Sequence, residues 1–339
     1  MGRSWCAVAL VGVLVASAPA NRRDCGLLLG LELLQDERFA WKPEPQELTT
    51  YWISGNGTAA RVERSMEGLI LPTERGFRRI AVTRECSKST WEGLRGASEQ
   101  TACQDQYWTK PVSAAPPRRL PPIPDDPCSF ELVWIAFASP GAIGIRTYAG
   151  ASEECEPRGG HQIETAWVQP VSSSRHLRLS LLAGQRASDA YARAAQEADR
   201  QMAKDGNAEC HADAEADDAW TLVRREGAWR PEVFQDGGWF CWPRSEIRIA
   251  LPKTLVGTDR LAISWRTLSQ AMPDLQDAVS SPDATWTLLL TPSALVFVPR
   301  SDVAHRTRLS SVPKAKIVMA EWAIGTHVGE WSKVLADVR

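Results

Sequence analysis

The sequence predicts an α+β protein built mainly from antiparallel β-hairpins and meanders, with one long alanine-rich helix and a C-terminal helix. Paired apolar, β-prone runs, cysteines beside those runs, and a single long stretch of helical periodicity lead to this prediction. The clearest pair, Phe130–Phe137 and Ala142–Tyr148, flanks the turn signal Ser139-Pro140-Gly141. A cysteine lies just outside each end, which is typical of a disulfide-tied hairpin.

The amino terminus has the pattern of a secretory leader. Met1-Gly2-Arg3 is a short positive region, and Trp5–Val15 is uncharged and largely apolar. Ala18-Pro19-Ala20 then fits the small-residue rule for cleavage before Asn21. The apolar run is shorter than the roughly 20 residues that a membrane helix needs. We therefore predict a signal peptide over residues 1–20, with an uncleaved anchor as the alternative, a secreted or periplasmic mature chain, and no transmembrane segment beyond the leader.

Cysteine usage agrees with export. The chain has eight cysteines and no CxxC motif, so disulfides are favoured over zinc or thioredoxin-like chemistry. Each pair in the simplest pairing stabilises the fold by roughly 3 kcal/mol in the chain-entropy model. The predicted pairs are Cys86–Cys103, Cys128–Cys155 and Cys210–Cys241. Cys6 would leave with the leader, and Cys25 is left over, either as a thiol, as a bridge to a partner, or as a replacement within one pair.

Composition limits the classes of function. The 339 residues are enough for one large or two modest domains, and 44% hydrophobic with 24% charged residues is ordinary for a globular chain. A formal net charge of −2 does not favour nucleic acid as a partner. Tryptophan is abundant, with 15 residues against 4 tyrosines, and we expect most of these rings in the core or in hairpin pairs and the others on a binding face.

Proline content and periodicity divide the chain into regions. A Pro-rich linker or crossover at 114–127 separates two β-rich parts of the sequence. The predicted regions are the signal peptide at 1–20, an N-terminal β-rich region at 21–113, the linker, a hairpin with the long helix at 128–209, and a C-terminal β-rich region at 210–339.

The remaining elements follow from local patterns. Residues 87–106 are polar and turn-rich, enclosed by Cys86 and Cys103. The expected elements, in order, are a strand or short helix at Leu27–Leu34, a strand at Tyr51–Ser54, hairpins near residues 69, 131, 220 and 286, a strand at Gln162–Val171, the long helix at Leu177–Lys204, a strand at Ile247–Leu251, a short helix at Trp265–Val279 interrupted at Pro273, a strand at Ile317–Trp322, and a helix at Val328–Val338.

An alternative architecture comes from one turn. Ser281-Pro282-Asp283 resembles the turn that enters a propeller blade, so a small, irregular β-propeller-like arrangement is the second prediction.

Two short sequence motifs match patterns of known enzyme classes but do not indicate those functions. The GxGxxA pattern at Gly55–Ala60 is surrounded by hairpins and is interpreted as a tight turn. The SxxK pattern at Ser311–Lys314 lacks the companion motifs of serine acyl enzymes and is attributed to chance.

The most site-like cluster is an acidic run that contains His211, Asp213, Glu215 and Asp217. Carboxylates at every second position share one face of an extended segment and can hold Ca²⁺, but the glycine of an EF-hand loop is missing. We therefore predict a solvated acidic segment, no metal and no cofactor.

Aromatic residues supply a second candidate. A Cys210–Cys241 disulfide would bring the acidic run beside Trp239 and Trp242, a possible platform for a sugar or a cationic ligand. The alternative is that these rings pack round the disulfide. His161, on a glycine-rich turn, is a candidate ligand or base, against the commoner capped loop histidine.

No catalytic constellation is recognisable in the sequence. We therefore expect an exported bacterial protein that binds or senses a small molecule, a glycan or another protein without catalysis. A secreted hydrolase with dispersed catalytic residues is the second hypothesis, and an envelope-associated structural protein is the third.

Overall fold

A computed structural model describes residues 24–34, 46–93, 96–114, 129–151, 162–206, 217–234, 244–257 and 259–338. The predicted signal peptide and nearly all of the Pro-rich linker lie outside these ranges. The described chain is mostly antiparallel β-structure and about 19% helical.

In the described ranges, strands dominate the order of elements. The strands are β1 (Cys25–Leu33), β2 (Glu47–Gly55), β3 (Ala60–Glu67), β4 (Leu69–Thr73), β5 (Gly76–Gly93), β6 (Gly96–Pro111), β7 (Ser129–Ala138), β8 (Ala142–Ala151), β9 (Gln162–Pro170), β10 (Trp220–Arg225), β11 (Ala228–Phe234), β12 (Arg244–Glu246), β13 (Asp277–Ser280), β14 (Trp286–Leu290), β15 (Ala294–Pro299), β16 (Thr307–Ser311) and β17 (Ala315–Ile324). The helices are α1 (Leu179–Ala183), α2 (Gln185–Lys204), α3 (Lys253–Val256), α4 (Trp265–Ala271) and α5 (Thr326–Ala336).

The described strands form four sheets arranged as a propeller-like ring. Sheet I has the order β17-β1-β2-β3, sheet II runs from β4 to β9, sheet III from β10 to β12, and sheet IV from β13 to β16. All pairings among the described strands are antiparallel except that of β6 with β7. Because the last strand, β17, pairs with the first, β1, the two ends of the described chain close the ring. The propeller-like alternative therefore fits the structure, and helices are a minor part of the fold.

Apolar side chains fill the spaces between these sheets. Trp52, Trp220 and Trp286 are among the largest fully buried side chains, as expected of core tryptophans. Leu27–Leu31 of β1 is buried on both faces of its sheet, and its sequence is therefore a continuous run of apolar residues and glycine. The four hairpins predicted near residues 69, 131, 220 and 286 are confirmed by the strand pairings.

One predicted disulfide, Cys86–Cys103, is confirmed. The two cysteines are register partners on β5 and β6, and strand pairing continues past them to Gly93 and Gly96. The segment expected to be turn-rich is therefore a long β-ribbon, because the two strands satisfy each other's backbone groups. The predicted pairs Cys128–Cys155 and Cys210–Cys241 lie outside the described residues. Cys25 is a buried thiol at the start of β1.

The long helix differs from its prediction at one glycine. Gly184 has φ of 73°, a left-handed conformation that an α-helix does not continue through, and it separates α1 from α2. The alanine-rich face of α2 packs inward as its spacing predicts. The buried alanines are Ala187, Ala190, Ala194, Ala195 and Ala198.

Two other predictions were wrong in part. The helix from Trp265 ends at Ala271, shortly before Pro273, and Asp277–Ser280 is strand β13 instead. The strand expected at Ile247–Leu251 is absent, since β12 ends at Glu246. Ile247 is fully buried in the core beside α2, so its apolar character reflects packing rather than strand pairing.

Side-chain hydrogen bonds fix two turns between strands. Asn56 Oδ1 accepts hydrogen bonds from the backbone N–H groups of Thr58 (3.0 Å) and Ala59 (3.1 Å), which confirms the tight turn predicted from the glycine motif. Asp283 Oδ1 accepts from the backbone N–H of Thr285 at 3.2 Å and from its hydroxyl at 2.9 Å. The second turn leads directly into buried Trp286.

Candidate functional site

Most residues predicted to form a site fall on segments that flank described strands. His161, His211, Asp213, Glu215, Trp239 and Trp242 lie outside the described residues. Their binding functions therefore stay predictions.

Asp217 is the one predicted site residue within the described chain. It is buried, and its Oδ2 accepts a 2.8 Å hydrogen bond from the backbone N–H of Ser180. Its backbone carbonyl accepts a second one, also 2.8 Å, from Leu179. Both donors lie in the first turn of α1, where N–H groups lack partners within the helix. Asp217 therefore has a structural role in holding α1 against the chain that leads into β10.

A polar cleft lies where sheets I, III and IV meet. Its cavity volume is about 10 Å³, and Arg224, Trp229, Asp259, Ser280 and Ala320 contribute to its walls. Arg224 Nε donates to Asp277 Oδ2 at 2.9 Å, and its Nη1 donates to Asp259 Oδ1 at 3.2 Å. The guanidinium also lies over the Trp229 ring, 5.1 Å from its centroid.

Each carboxylate oxygen of Asp277 and Asp259, the two acids that contact Arg224, accepts a hydrogen bond. Asp277 Oδ1 accepts from the N–H of Ala278 at 2.7 Å, and Asp259 Oδ2 accepts from that of Trp229 at 2.6 Å. Burial raises the pKa of both carboxyl groups, and the positive charge of Arg224 opposes that rise. Since every carboxylate oxygen already has a donor, we interpret this group as a joint between sheets III and IV rather than a ligand site.

A second charged group contains Glu232, a buried carboxylate whose oxygens do not accept hydrogen bonds. Glu232, on β11, is 1% exposed, and neither of its carboxylate oxygens accepts a hydrogen bond. Arg225 Nη2 lies 2.5 Å from Glu232 Oε1, an ion pair without hydrogen-bond alignment. Buried polar atoms normally have hydrogen-bond partners, so this acid stands out among the described residues.

Phe234 places two more guanidinium groups beside this acid. It is two residues after Glu232 on β11 and therefore projects from the same face. The guanidinium carbon of Arg146, on β8, lies 5.1 Å from the centroid of the Phe234 ring, and that of Arg244, on β12, lies 5.6 Å away. These distances are typical of cation–π contacts. We refer to Arg146, Arg225, Glu232, Phe234 and Arg244 together as the Glu232 cluster.

The electrostatics of the cluster follow from burial and from the neighbouring charges. Burial raises the pKa of Glu232, while the charges of Arg225, Arg244 and Arg146 lower it and Glu246 raises it. Burial also raises the pKa of Glu32, on β1, against the charges of Lys316 and Arg146. Arg146 of sheet II thus acts on carboxyl groups of sheets I and III. A carboxyl group with a perturbed pKa near specific charges marks a candidate functional site.

Sequence reasoning did not single out these residues, although a signal was present. Glu32 is the charged residue within the apolar run of β1, and Arg146 is the charged residue within β8. A charge in an otherwise apolar strand is costly to bury without a compensating partner. This rule identifies Glu32 and Arg146 as candidate functional residues. The sequence alone does not show that Arg146 acts on both Glu32 and Glu232.

The described ranges contain no group of three or more His, Cys, Asp or Glu side chains placed to hold a metal ion. Their histidines occur in exposed pairs such as His305 with Asp302, at 2.6 Å, and His327 with Glu330, at 2.8 Å. No helix in this part of the chain has the length and apolar character required to cross a membrane. In comparisons with known proteins, no family model matches the sequence and no curated protein matches it significantly.

Proposed function

We propose that the chain is an exported, non-catalytic binding or sensing protein whose ligand binds at the Glu232 cluster. The observation that supports this most is the buried Glu232 carboxylate, whose oxygens accept no hydrogen bond while the charges of three arginines act on it. Charged groups that are hydrogen-bonded within the protein, such as Arg224 with Asp277, stabilise the fold. A charged group with unused hydrogen-bonding capacity is better explained by recognition.

The position of the cluster supports the same proposal. Phe234 ends β11 and Arg244 begins β12, so the segment 235–243 starts and ends at this cluster. That segment carries Trp239 and Trp242, the two rings predicted to form a binding platform. Export is supported by the predicted leader and is compatible with the Cys86–Cys103 disulfide.

The first experiment tests export. We expect a full-length fusion to a periplasm-dependent reporter enzyme to be active in a bacterial host. Mass spectrometry of the released chain should give a mature terminus at Asn21. A fusion that stays in the cytoplasm with residues 1–20 intact would contradict the proposal.

The second experiment tests binding. Purified mature protein is screened by thermal shift against sugars, amino acids, organic acids and short peptides, and hits are measured by calorimetry. We expect Trp239→Ala or Trp242→Ala to weaken a hit, whereas Trp108→Ala on β6 serves as the matched control. A screen without hits, or hits that both variants leave unchanged, would argue against a binding site at this position.

A secreted hydrolase is the second candidate, favoured by one observation. Burial raises the pKa of both Glu32 and Glu232, and Arg146 acts on each of them. A carboxyl group whose pKa is raised by burial can act as a general acid or base near neutral pH. Hydrolysis of chromogenic glycoside or ester substrates that is lost in both Glu32→Gln and Glu232→Gln would support this candidate over simple binding.

A further inference from the structure

We propose that Thr221 and Glu232 together bind one neutral hydroxyl group, that of an internal water molecule or of a ligand, between β8 and the β10–β11 hairpin. Where the hydroxyl belongs to a ligand, this inference rests on the proposed function and adds the chemical class of the ligand. Where it belongs to water, the inference stands without that function. It derives from the pairing, burial and hydrogen-bonding capacity of the two side chains.

Thr221 on β10 and Glu232 on β11 are directly opposite in the strand pairing of sheet III. Directly opposite residues project from the same face, with Cβ atoms roughly 4.5–5.5 Å apart. Thr221 is 0% exposed and Glu232 is 1% exposed. Within the described residues, neither the Thr221 hydroxyl nor either carboxylate oxygen of Glu232 has a hydrogen-bond partner. Two neighbouring buried side chains thus have unused hydrogen-bonding capacity, which is uncommon in a folded protein.

The face that carries both side chains packs against β8 of sheet II. A Cβ atom at Gly144 would lie 3.2 Å from Thr221 Oγ1 and 3.1 Å from Phe137 Cβ. Because residue 144 is glycine, the Thr221 hydroxyl has room beside it for one small atom, which a side chain at this position would fill. Together with the burial of both side chains, this limits the site to a single small group.

Hydrogen-bonding chemistry selects a neutral hydroxyl. Carboxylate oxygens only accept hydrogen bonds, so the bound group must donate one, which a carboxylate or a fully ionised phosphate does not do. Nη2 of Arg225 lies 2.5 Å from Glu232 Oε1, and the charges of Arg244 and Arg146 also act on this acid, so it needs no further cation. Water or an alcohol donates to Glu232 and accepts from the Thr221 hydroxyl at the same time.

The number of available atoms also fits one hydroxyl group. Internal water molecules typically make about three hydrogen bonds to buried polar groups that the chain itself does not satisfy. Thr221 Oγ1 and the two carboxylate oxygens of Glu232 supply three such atoms on one face of sheet III. A ligand hydroxyl would approach past Arg225, whose side chain is 55% exposed.

The test is a high-resolution crystal structure of the purified mature protein, determined without polyols and again with glucose as the probe. We expect an ordered oxygen at about 2.5–3.0 Å from both Thr221 Oγ1 and a carboxylate oxygen of Glu232. The same oxygen in both crystals identifies water, whereas a glucose hydroxyl at that position identifies a ligand. A direct hydrogen bond between Thr221 and Glu232, a missing oxygen, or an ion with anomalous signal in its place overturns the inference.

A variant then assigns the oxygen to this pair of side chains. Thr221→Val keeps the shape of the side chain and removes its hydroxyl, so the bridging oxygen should be lost. Any binding of glucose at this position should weaken by about tenfold in calorimetry. Thr307→Val, at an exposed position of β16, is the matched control and should change neither result. An oxygen that persists in Thr221→Val also overturns the inference.

Failure of this inference and failure of the proposed function can be told apart. The crystals of the parent protein decide the inference even if Thr221→Val does not fold. If the bridging oxygen is missing, a hit in the broad screen that depends on Trp239 or Trp242 still supports the proposed function. If the oxygen is water and the screen gives no hit, the inference holds and the proposed function fails.

Discussion

Arg224 Nε on β10 donates a 2.9 Å hydrogen bond to Asp277 Oδ2 on β13, and this contact ties sheet III to sheet IV. Both side chains are more than nine-tenths buried. The guanidinium also donates to the carbonyl oxygens of Gly227 at 2.9 Å and Ala278 at 2.6 Å. A single arginine thus fixes the β10–β11 turn against the first strand of the next sheet.

Removing one member of this pair should destabilise the protein strongly. Arg224→Met leaves the buried carboxylate of Asp277 without its ion-pair partner, and such losses cost about 3–5 kcal/mol. The free energy of unfolding is measured by chemical denaturation. Arg200→Met breaks an exposed pair with Glu197 and should change stability by less than about 1 kcal/mol. Equal effects of the two variants would contradict the role given to Arg224.

Glu321 should make stability depend on pH. It lies opposite Leu28 in the β1–β17 pairing, and burial raises its pKa to about 8. The folded protein therefore holds a proton that the unfolded chain releases near pH 4.5, the ordinary value for this group. Stability should fall between these two pH values, by at most about 1.4 kcal/mol per pH unit, and the loss is complete above the folded-state pKa.

The check on Glu321 is a comparison of pH profiles. Glu321→Gln removes the titrating group, so its stability relative to the parent protein should rise steadily from acid to pH 8. The exposed Glu74→Gln is the control and should give a constant difference. Parallel profiles for the parent and Glu321→Gln would show that Glu321 titrates normally in the folded protein.

The Cys86–Cys103 bond should stabilise the protein even though strand pairing already joins its two cysteines. Their separation of 17 residues corresponds to roughly 3 kcal/mol in the chain-entropy model. We expect the double variant Cys86→Ser, Cys103→Ser to unfold at lower denaturant concentration by about this free energy. Reduction of the parent protein by a dithiol provides an independent comparison. A loss well below 1 kcal/mol would mean that the hairpin keeps its register in the unfolded chain.

Two glycines should respond in opposite directions to the same substitution. A Cβ at Gly26 on β1 would lie 1.9 Å from the ring of Trp52, so Gly26→Ala forces a shift in the core and should cost about 1–3 kcal/mol. Gly329, inside α5, has nothing within 4 Å of that position. Gly329→Ala should therefore stabilise the helix by up to about 1 kcal/mol. Thermal unfolding of both variants measures the difference, and a loss of stability in Gly329→Ala would contradict this account of α5.

Local features of the fold could be predicted because their causes are local. The turns at Asn56 and Ser139 and the hairpins they belong to follow from turn residues between apolar strands. The pairing of Cys86 with Cys103 followed from their closeness in sequence. Predictions failed where a single residue or a distant neighbour decided the outcome, as at Gly184 between α1 and α2 and at Ile247 in the core.

The sequence by itself determined the hairpins, the alanine face of α2 and the expectation of export, because each depends on residues that are near one another in the chain. The tertiary structure alone decided that β17 completes the sheet of β1, that Arg224 meets Asp277, and that Arg146 lies beside Phe234 near Glu232. These contacts join strands from different parts of the chain. Their formation depends on the order of strands and on the packing between sheets, and neither is encoded in a local pattern of residue types.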